Sequence, residues 1–164
     1  TRARRDFGTE FPLFFIGGRA QDHNTRERLR GFLKAHEDAG LTVPDDQIIM
    51  HGYAPEKNEA LIERLDLPDR SAIFVNSTIA LEGVVRALHR RRKSGPTDIR
   101  FGCFDWDPFA ALMHENVGMS QQDVTAMLLK VFDLMEHPPE GAPQVLIPCI
   151  IRPIENGEEV LAGS

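Results

Sequence analysis

Four places in the sequence gather side chains able to grip a small polar molecule: Arg19 to Arg28, Tyr53, Asn76, and Asp105-Trp106-Asp107. Arg28 brings a rigid fork of N–H donors. Asn76 both donates and accepts, and Asp105 accepts from two hydroxyls at once. Tyr53 or Trp106 supplies a flat apolar face. Together they suit a polyhydroxylated or phosphorylated small molecule, its ring or carbon chain lying against the aromatic. Each also has a plainer reading. Asn76 can cap a helix, Asp105 can sit in a turn, Arg28 can be a solvated helix charge, and Tyr53 can be surface. Placement decides between the two.

The elements that place them alternate between apolar runs and helical spacings. Pro12-Leu13-Phe14-Phe15-Ile16 is a continuous apolar run ending at Gly17-Gly18, the pattern of a strand buried on both faces. Asn24 to Ala39 carries Leu29, Phe32 and Leu33 at helical spacing, with Gly40 as its stop. Gln47 to Gly52 reads as a second strand. A helix begins at Pro55 and runs through Asn58, Leu61, Ile62 and Leu65. Ser71 to Asn76 is a third strand, and Ser77 is placed to cap a helix with Ala80, Leu81, Val84, Ala87 and Leu88 on its apolar face. Ile99 to Phe104 is a fourth strand, followed by a short helix from Asp107-Pro108 through Leu112. Gln121 to His137 shows a clean amphipathic spacing in Val124, Met127, Leu128, Val131 and Leu134. A last strand is expected over Gln144 to Ile151. Strand–helix repetition of this kind implies an α/β fold, a mainly parallel sheet with helices on both faces. Ligands in such sheets bind outside the carboxyl ends of the strands, and all four polar groups follow strands.

With 164 residues the chain can build one substantial core. A net charge of −6 argues against non-specific nucleic-acid binding by the whole chain. The basic run His89-Arg90-Arg91-Arg92-Lys93 reads as the solvated end of a helix, where cations meet the negative dipole end. No apolar run approaches the roughly 20 residues of a membrane helix, and Thr1-Arg2-Ala3-Arg4-Arg5 lacks the pattern of a signal peptide. Cys103 and Cys149, far apart in apolar contexts, are expected as buried reduced thiols, which places the chain in the cytoplasm. The chain starts without Met, and residues 1–10 make no whole element. They are expected to be the remnant of a preceding one, and the chain an excised part of something longer. No cofactor or metal is expected, because dinucleotide, P-loop and metal-ligand patterns are missing. An enzyme using His51, His114 or Asp105 as acid or base finds no paired catalytic partner or nucleophile elbow in its support.

Over residues 11–154 the order and spacing of five stretches resemble the effector-binding domains of lactose-repressor/galactose-repressor type transcription regulators, relatives of periplasmic sugar-binding proteins. The stretches are Phe14-Phe15-Ile16-Gly17-Gly18, then Asn24 to Phe32, Ala72 to Gly83, Gly102-Cys103-Phe104-Asp105-Trp106-Asp107, and Ile147-Pro148-Cys149-Ile150-Ile151-Arg152. Fructose-type catabolite regulators form the nearest subgroup. The resemblance implies a half-domain at 11–154 with a tail at 155–164. It makes Arg28, Asn76 and Asp105 effector-binding, with Asn24 and Tyr53 lining the same cleft and Tyr53 at the stacking position. It implies a small-molecule effector, a sugar or sugar phosphate. It implies DNA contact only through a headpiece absent from this chain, and a homodimer using Leu81, Val84, Leu112 and Met113. A periplasmic sugar-binding protein is the alternative with the same cleft.

Two departures stand out. Ser77 replaces an Asp common in the family. A Gln expected before the long helix is either replaced by Met119 or supplied by Gln121 or Gln122. In the family the long helix, 121–137 here, returns to the half that this chain lacks. Its apolar face is therefore expected to pack elsewhere, by self-association or by rearrangement.

Overall fold

Successive side chains of a strand point to opposite faces, and in the first strand both sets are covered. Leu13 and Phe15 pack with Phe32 and Ala72, whereas Phe14 and Ile16 pack with Ile62, Ile73 and Leu81. A computed structural model describes residues 11–92, 98–108 and 117–152. Its elements are β1 (Leu13–Gly17), α1 (His23–Glu37), β2 (Ile48–Met50), α2 (Pro55–Arg64), β3 (Arg70–Val75), α3 (Thr78–Arg92), β4 (Asp98–Phe104), β5 (Val117–Gln121), α4 (Val124–Glu136) and β6 (Ile150–Arg152). The strands form one sheet in the order β2-β1-β3-β4-β5-β6. Every pairing is parallel except β5 with β6. The fold is thus the mainly parallel α/β sheet expected, with α1 on one face and α2 and α3 on the other.

The larger core lies under α2 and α3. Ala80, Leu81, Val84, Ala87 and Leu88 are all buried there, against Ile73, Val75 and Cys103. Leu81 and Val84, expected at a dimer interface, are fully buried and offer no surface to a second chain: they are core residues. Leu112, Met113 and the rest of the short helix from Asp107-Pro108 lie outside the described residues. The basic run does more than meet solvent. Arg90 pairs with Glu59 and Glu63 on α2, each at 2.6 Å, and Arg91 donates to the Leu67 carbonyl at 2.9 Å.

Three boundaries differ from the sequence reading. Residues 117–121 form a strand rather than leading into the long helix. Burial alternates there, with Val117 and Met119 inside, but Gly118 between them and Ser120 after them hide the run. The long helix therefore starts at Val124, behind Asp123, whose carboxylate accepts from the Ala126 amide at 2.9 Å. Of the strand expected over 144–151, the part that pairs is Ile150–Arg152. No residue of α4 is buried, and Leu128 and Phe132 are 53% and 58% exposed. The helix does not fold back onto its own sheet, so a rearrangement within the chain does not occur.

The cysteines divide. Cys103 is buried in the core, where burial and then the neighbouring Asp105 carboxylate push its thiol well above the usual range. Cys149 is exposed, contrary to expectation, because the segment before β6 lies at the surface. Native alkylation with iodoacetamide is therefore expected to add one group, at Cys149, and a second only after unfolding. Equal rates at both thiols, read by mass spectrometry, would contradict this packing.

Candidate functional site

Strand ends and the first turns of α1 deliver the polar residues. β1 stops at Gly17-Gly18, and the loop leads into α1 at His23. Thr25 and Arg28 stand three residues apart, so they share one side of the helix. Thr25 is fully buried and the Arg28 side chain is 13% exposed. β3 is followed by Asn76, also fully buried, and the Ala80 amide donates to Ser77 Oγ at 3.4 Å to begin α3. So Ser77, not Asn76, takes the capping role. β4 is followed by Asp105, whose φ of +71° lies in the left-handed region that few non-glycine residues adopt.

Arg28 ties these ends together. Its NH1 donates to the Asn76 carbonyl at 2.6 Å. The two arms of the fork meet the Asp105 carboxylate, NH2 to Oδ1 at 3.1 Å and NH1 to Oδ2 at 3.4 Å. Its flat face lies over the Phe104 ring, 4.0 Å from the centroid. Gln122 completes the group: its Nε2 donates to Asp105 Oδ1 at 2.7 Å. Of the three residues left open by sequence, Gln122 is the one that bonds to this group, whereas Gln121 accepts from Arg152 and Met119 is buried.

A second chain of bonds runs beside the first. Thr25 Oγ1 shares a hydrogen bond with Tyr53 OH at 3.0 Å, and Asn76 Nδ2 donates to Thr25 Oγ1 at 3.2 Å. Asn76 Oδ1 has no donor among the described residues, an expensive omission for a buried amide. Tyr53 is thus anchored at its hydroxyl. A Cβ at Gly18 would overlap its ring, so the absence of a side chain there admits the tyrosine. Buried Asn58 fixes the approach, donating to the Gly52 and Ala54 carbonyls at 3.1 and 3.0 Å.

Asn24 is exposed and, with Arg28 and Gln122, lines the polar end of a cavity of about 770 Å³ that runs along α1 over Phe32, Phe74 and Phe104. Trp106 packs partly against the α2–α3 core, with Arg152 5.2 Å above its ring, and so does not share the Arg28 cluster. His51 is exposed at the end of β2, and His114 lies outside the described residues. Among the described residues no cluster of three potential metal ligands occurs, and no helix is long and apolar enough to cross a membrane. Sequence reasoning passed over Thr25 and Phe104. Thr25 carried a signal, an uncharged residue one turn ahead of Arg28 in a highly charged helix start; Phe104 read only as strand core.

Residues 9–153 match the family model described as the periplasmic binding protein-like domain. The chain is 28% identical over 139 residues to the sucrose operon repressor of Klebsiella pneumoniae, an alignment covering 82% of this chain and 41% of that protein. It is 29% identical over 106 residues to the HTH-type transcriptional repressor PurR of Proteus mirabilis, covering 63% of this chain and 29% of that one. The crystal structure of the Escherichia coli transcriptional repressor ascG superposes with a TM-score of 0.72 at 19% identity, over 88% of this chain and 55% of that chain. The chain thus spans less than half the length of the curated relatives it matches.

Proposed function

The chain belongs to the periplasmic binding protein-like domain family, and from that premise we propose that it is the effector-binding half-domain of a cytoplasmic, ligand-responsive bacterial transcription regulator. The observation that carries this reading is the meeting of Arg28 on α1 with Asn76 and Asp105, from the ends of β3 and β4, in one hydrogen-bonded group. The relatives named as repressors support the regulatory role over a periplasmic one. Residues 11–154 are the half-domain in this reading. The exposed apolar face of α4 is the surface on which the other half of the cleft rests, and burial there is worth roughly 1.5–3 kcal/mol per large side chain.

The mechanism is binding, with no bond made or broken. A sugar-sized effector held between two halves favours one closure angle, and a homodimer relays that angle to DNA-binding headpieces outside this chain. Leu81 and Val84 are not part of that dimer contact. Thr25, Tyr53 and Asn58 hold the binding groups in place, and no residue is assigned a catalytic role.

The test is a thermal-shift screen of sugars and sugar phosphates on the full-length protein, followed by operator release with any hit. A stabilising ligand that also changes operator affinity at least tenfold is the expected result. A hit with no DNA response would favour a transport-type binding protein, and a ligand consumed during the assay would overturn the reading in favour of an enzyme.

A further inference from the structure

The chain leaves the sheet at Gln121 and returns to it at Ile150, and these two residues face each other in the β5–β6 register. Everything carried between them, α4 included, hangs from that pair of strands, since no residue of α4 is buried. The β4–β5 register ends at Phe104 and Ser120, so the step from Gln121 to Ile150 is a two-stranded ribbon. Such ribbons take up larger twists than wide sheets do, and side-chain contacts to the neighbouring strand end are needed to fix the angle at which α4 stands. We propose that Trp106 and Arg152 form a clasp that sets this angle, a hinge stop beside the cleft rather than a part of it.

Consecutive residues after β4 take hold of both strands. Asp105 Oδ1 accepts from Gln122 Nε2 at 2.7 Å, just past the end of the outgoing strand. Trp106 lies under the guanidinium of Arg152 on the returning strand, with 5.2 Å between them at the ring centroid. Arg152 Nε also donates to Gln121 Oε1 at 2.7 Å, which ties the two strands to each other. Trp106 itself packs against the α2–α3 core, so the ring is anchored to the body of the sheet. Arginine suits this place. Its plane stacks on an aromatic face while an edge N–H donates, two roles that a lysine ammonium does not combine.

Neither Trp106 nor Arg152 lines the cavity along α1, so the clasp is separable from ligand contact. From Val124 to Glu136 the axis of α4 runs about 18 Å, and a turn of about 10° at the clasp swings its far end by about 3 Å. In the effector-binding reading, on which the clasp depends for its purpose but not for its geometry, this is the angle that closure changes.

The experiment measures the distance between two spin labels by pulsed double electron resonance in the full-length protein, diluted with unlabelled protein. The labels are carried by p-acetylphenylalanine in place of Lys57 on α2 and Glu136 at the far end of α4, both exposed. With the clasp intact a single narrow distance distribution is expected. Arg152→Met keeps the stem of the side chain but neither its charge nor its donor, and is expected to widen the distribution at least twofold. Trp106→Leu should do the same, whereas Trp106→Phe, which keeps a ring face, should recover at least half of the narrowness. Arg152→Met combined with Trp106→Leu should widen it no further than either alone, as expected of two residues acting through one contact. If Trp106→Leu fails to fold, Arg152→Met at its exposed position carries the test alone. An unchanged width in Arg152→Met would overturn the clasp, as would a distribution already as wide with both residues in place. Absence of any effector response, with the widening still seen, would remove the sensing function and leave the clasp intact.

Discussion

Gly83→Ala is expected to lower the melting temperature by about 5–10 °C, although alanine is the better helix former by about 1 kcal/mol. The reason lies in the closeness of α2 and α3. A Cβ on Gly83 would overlap the Pro55 carbonyl oxygen and stand 2.9 Å from the Glu59 amide nitrogen, both backbone atoms that cannot turn away like a flexible side chain. The helices must separate, and the packing of Ala80, Val84 and Ala87 beside Ile62 loosens with them. Overfilling a packed interface costs about 1–3 kcal/mol and sometimes more; with backbone on both sides the upper end applies. For a domain of this size each kcal/mol moves the midpoint by roughly 2–4 °C. Gly31 is the control. It sits inside α1 with nothing near the position of a new Cβ, so Gly31→Ala is expected to raise stability by up to about 1 kcal/mol. The opposite signs, measured by thermal unfolding of both variants, separate close packing from helix propensity. Equal signs would mean that α2 and α3 do not approach as described.

Much of this architecture could be read in the sequence because burial is written in periodicity. The run Leu13 to Ile16 is apolar at every position, and a strand covered on both faces requires that. The face of α3 from Ala80 to Leu88 announced its core at helical spacing. β5 was not legible for an equally physical reason. In Val117-Gly118-Met119-Ser120-Gln121 only two residues face the core, and glycine between them weakens any strand signal. Cys149 and the apolar residues of α4 look buried by residue type alone, since composition does not say whether a covering element is present. At the site, the sequence placed Arg28, Asn76 and Asp105 at one edge of the sheet, because strand ends are easy to mark. It did not say that Arg28 meets the Asn76 backbone rather than its side chain. Nor did it say that Thr25 joins Asn76 to Tyr53. Those partners depend on the register between strands and on helix rotation, which residue types alone leave free.

Arg28→Ala is expected to destabilise the chain by about 2 kcal/mol and, in the proposed sensing role, to weaken effector binding at least roughly a hundredfold. Two groups lose a donor at once, the Asn76 carbonyl and the Asp105 carboxylate, which keeps only Gln122. Because Asp105 is 30% exposed, water recovers part of the loss, which keeps the figure below the 3–5 kcal/mol of a fully buried pair. Arg28→Lys should restore less than half, since an ammonium is a point charge and cannot serve two acceptors with a planar fork. The backbone at Asp105 gives an independent check. Its φ lies in the left-handed region, so Asp105→Gly should cost less than Asp105→Ala by about 1 kcal/mol, although both delete the carboxylate. Urea unfolding with an unchanged m-value measures each loss. In a double-mutant cycle with Arg28→Ala and Asp105→Ala the two losses should fall short of additivity by about 1 kcal/mol or more. Strict additivity would mean that the pair does not act as a unit, and the strand ends of β3 and β4 would then be held to α1 by apolar packing alone.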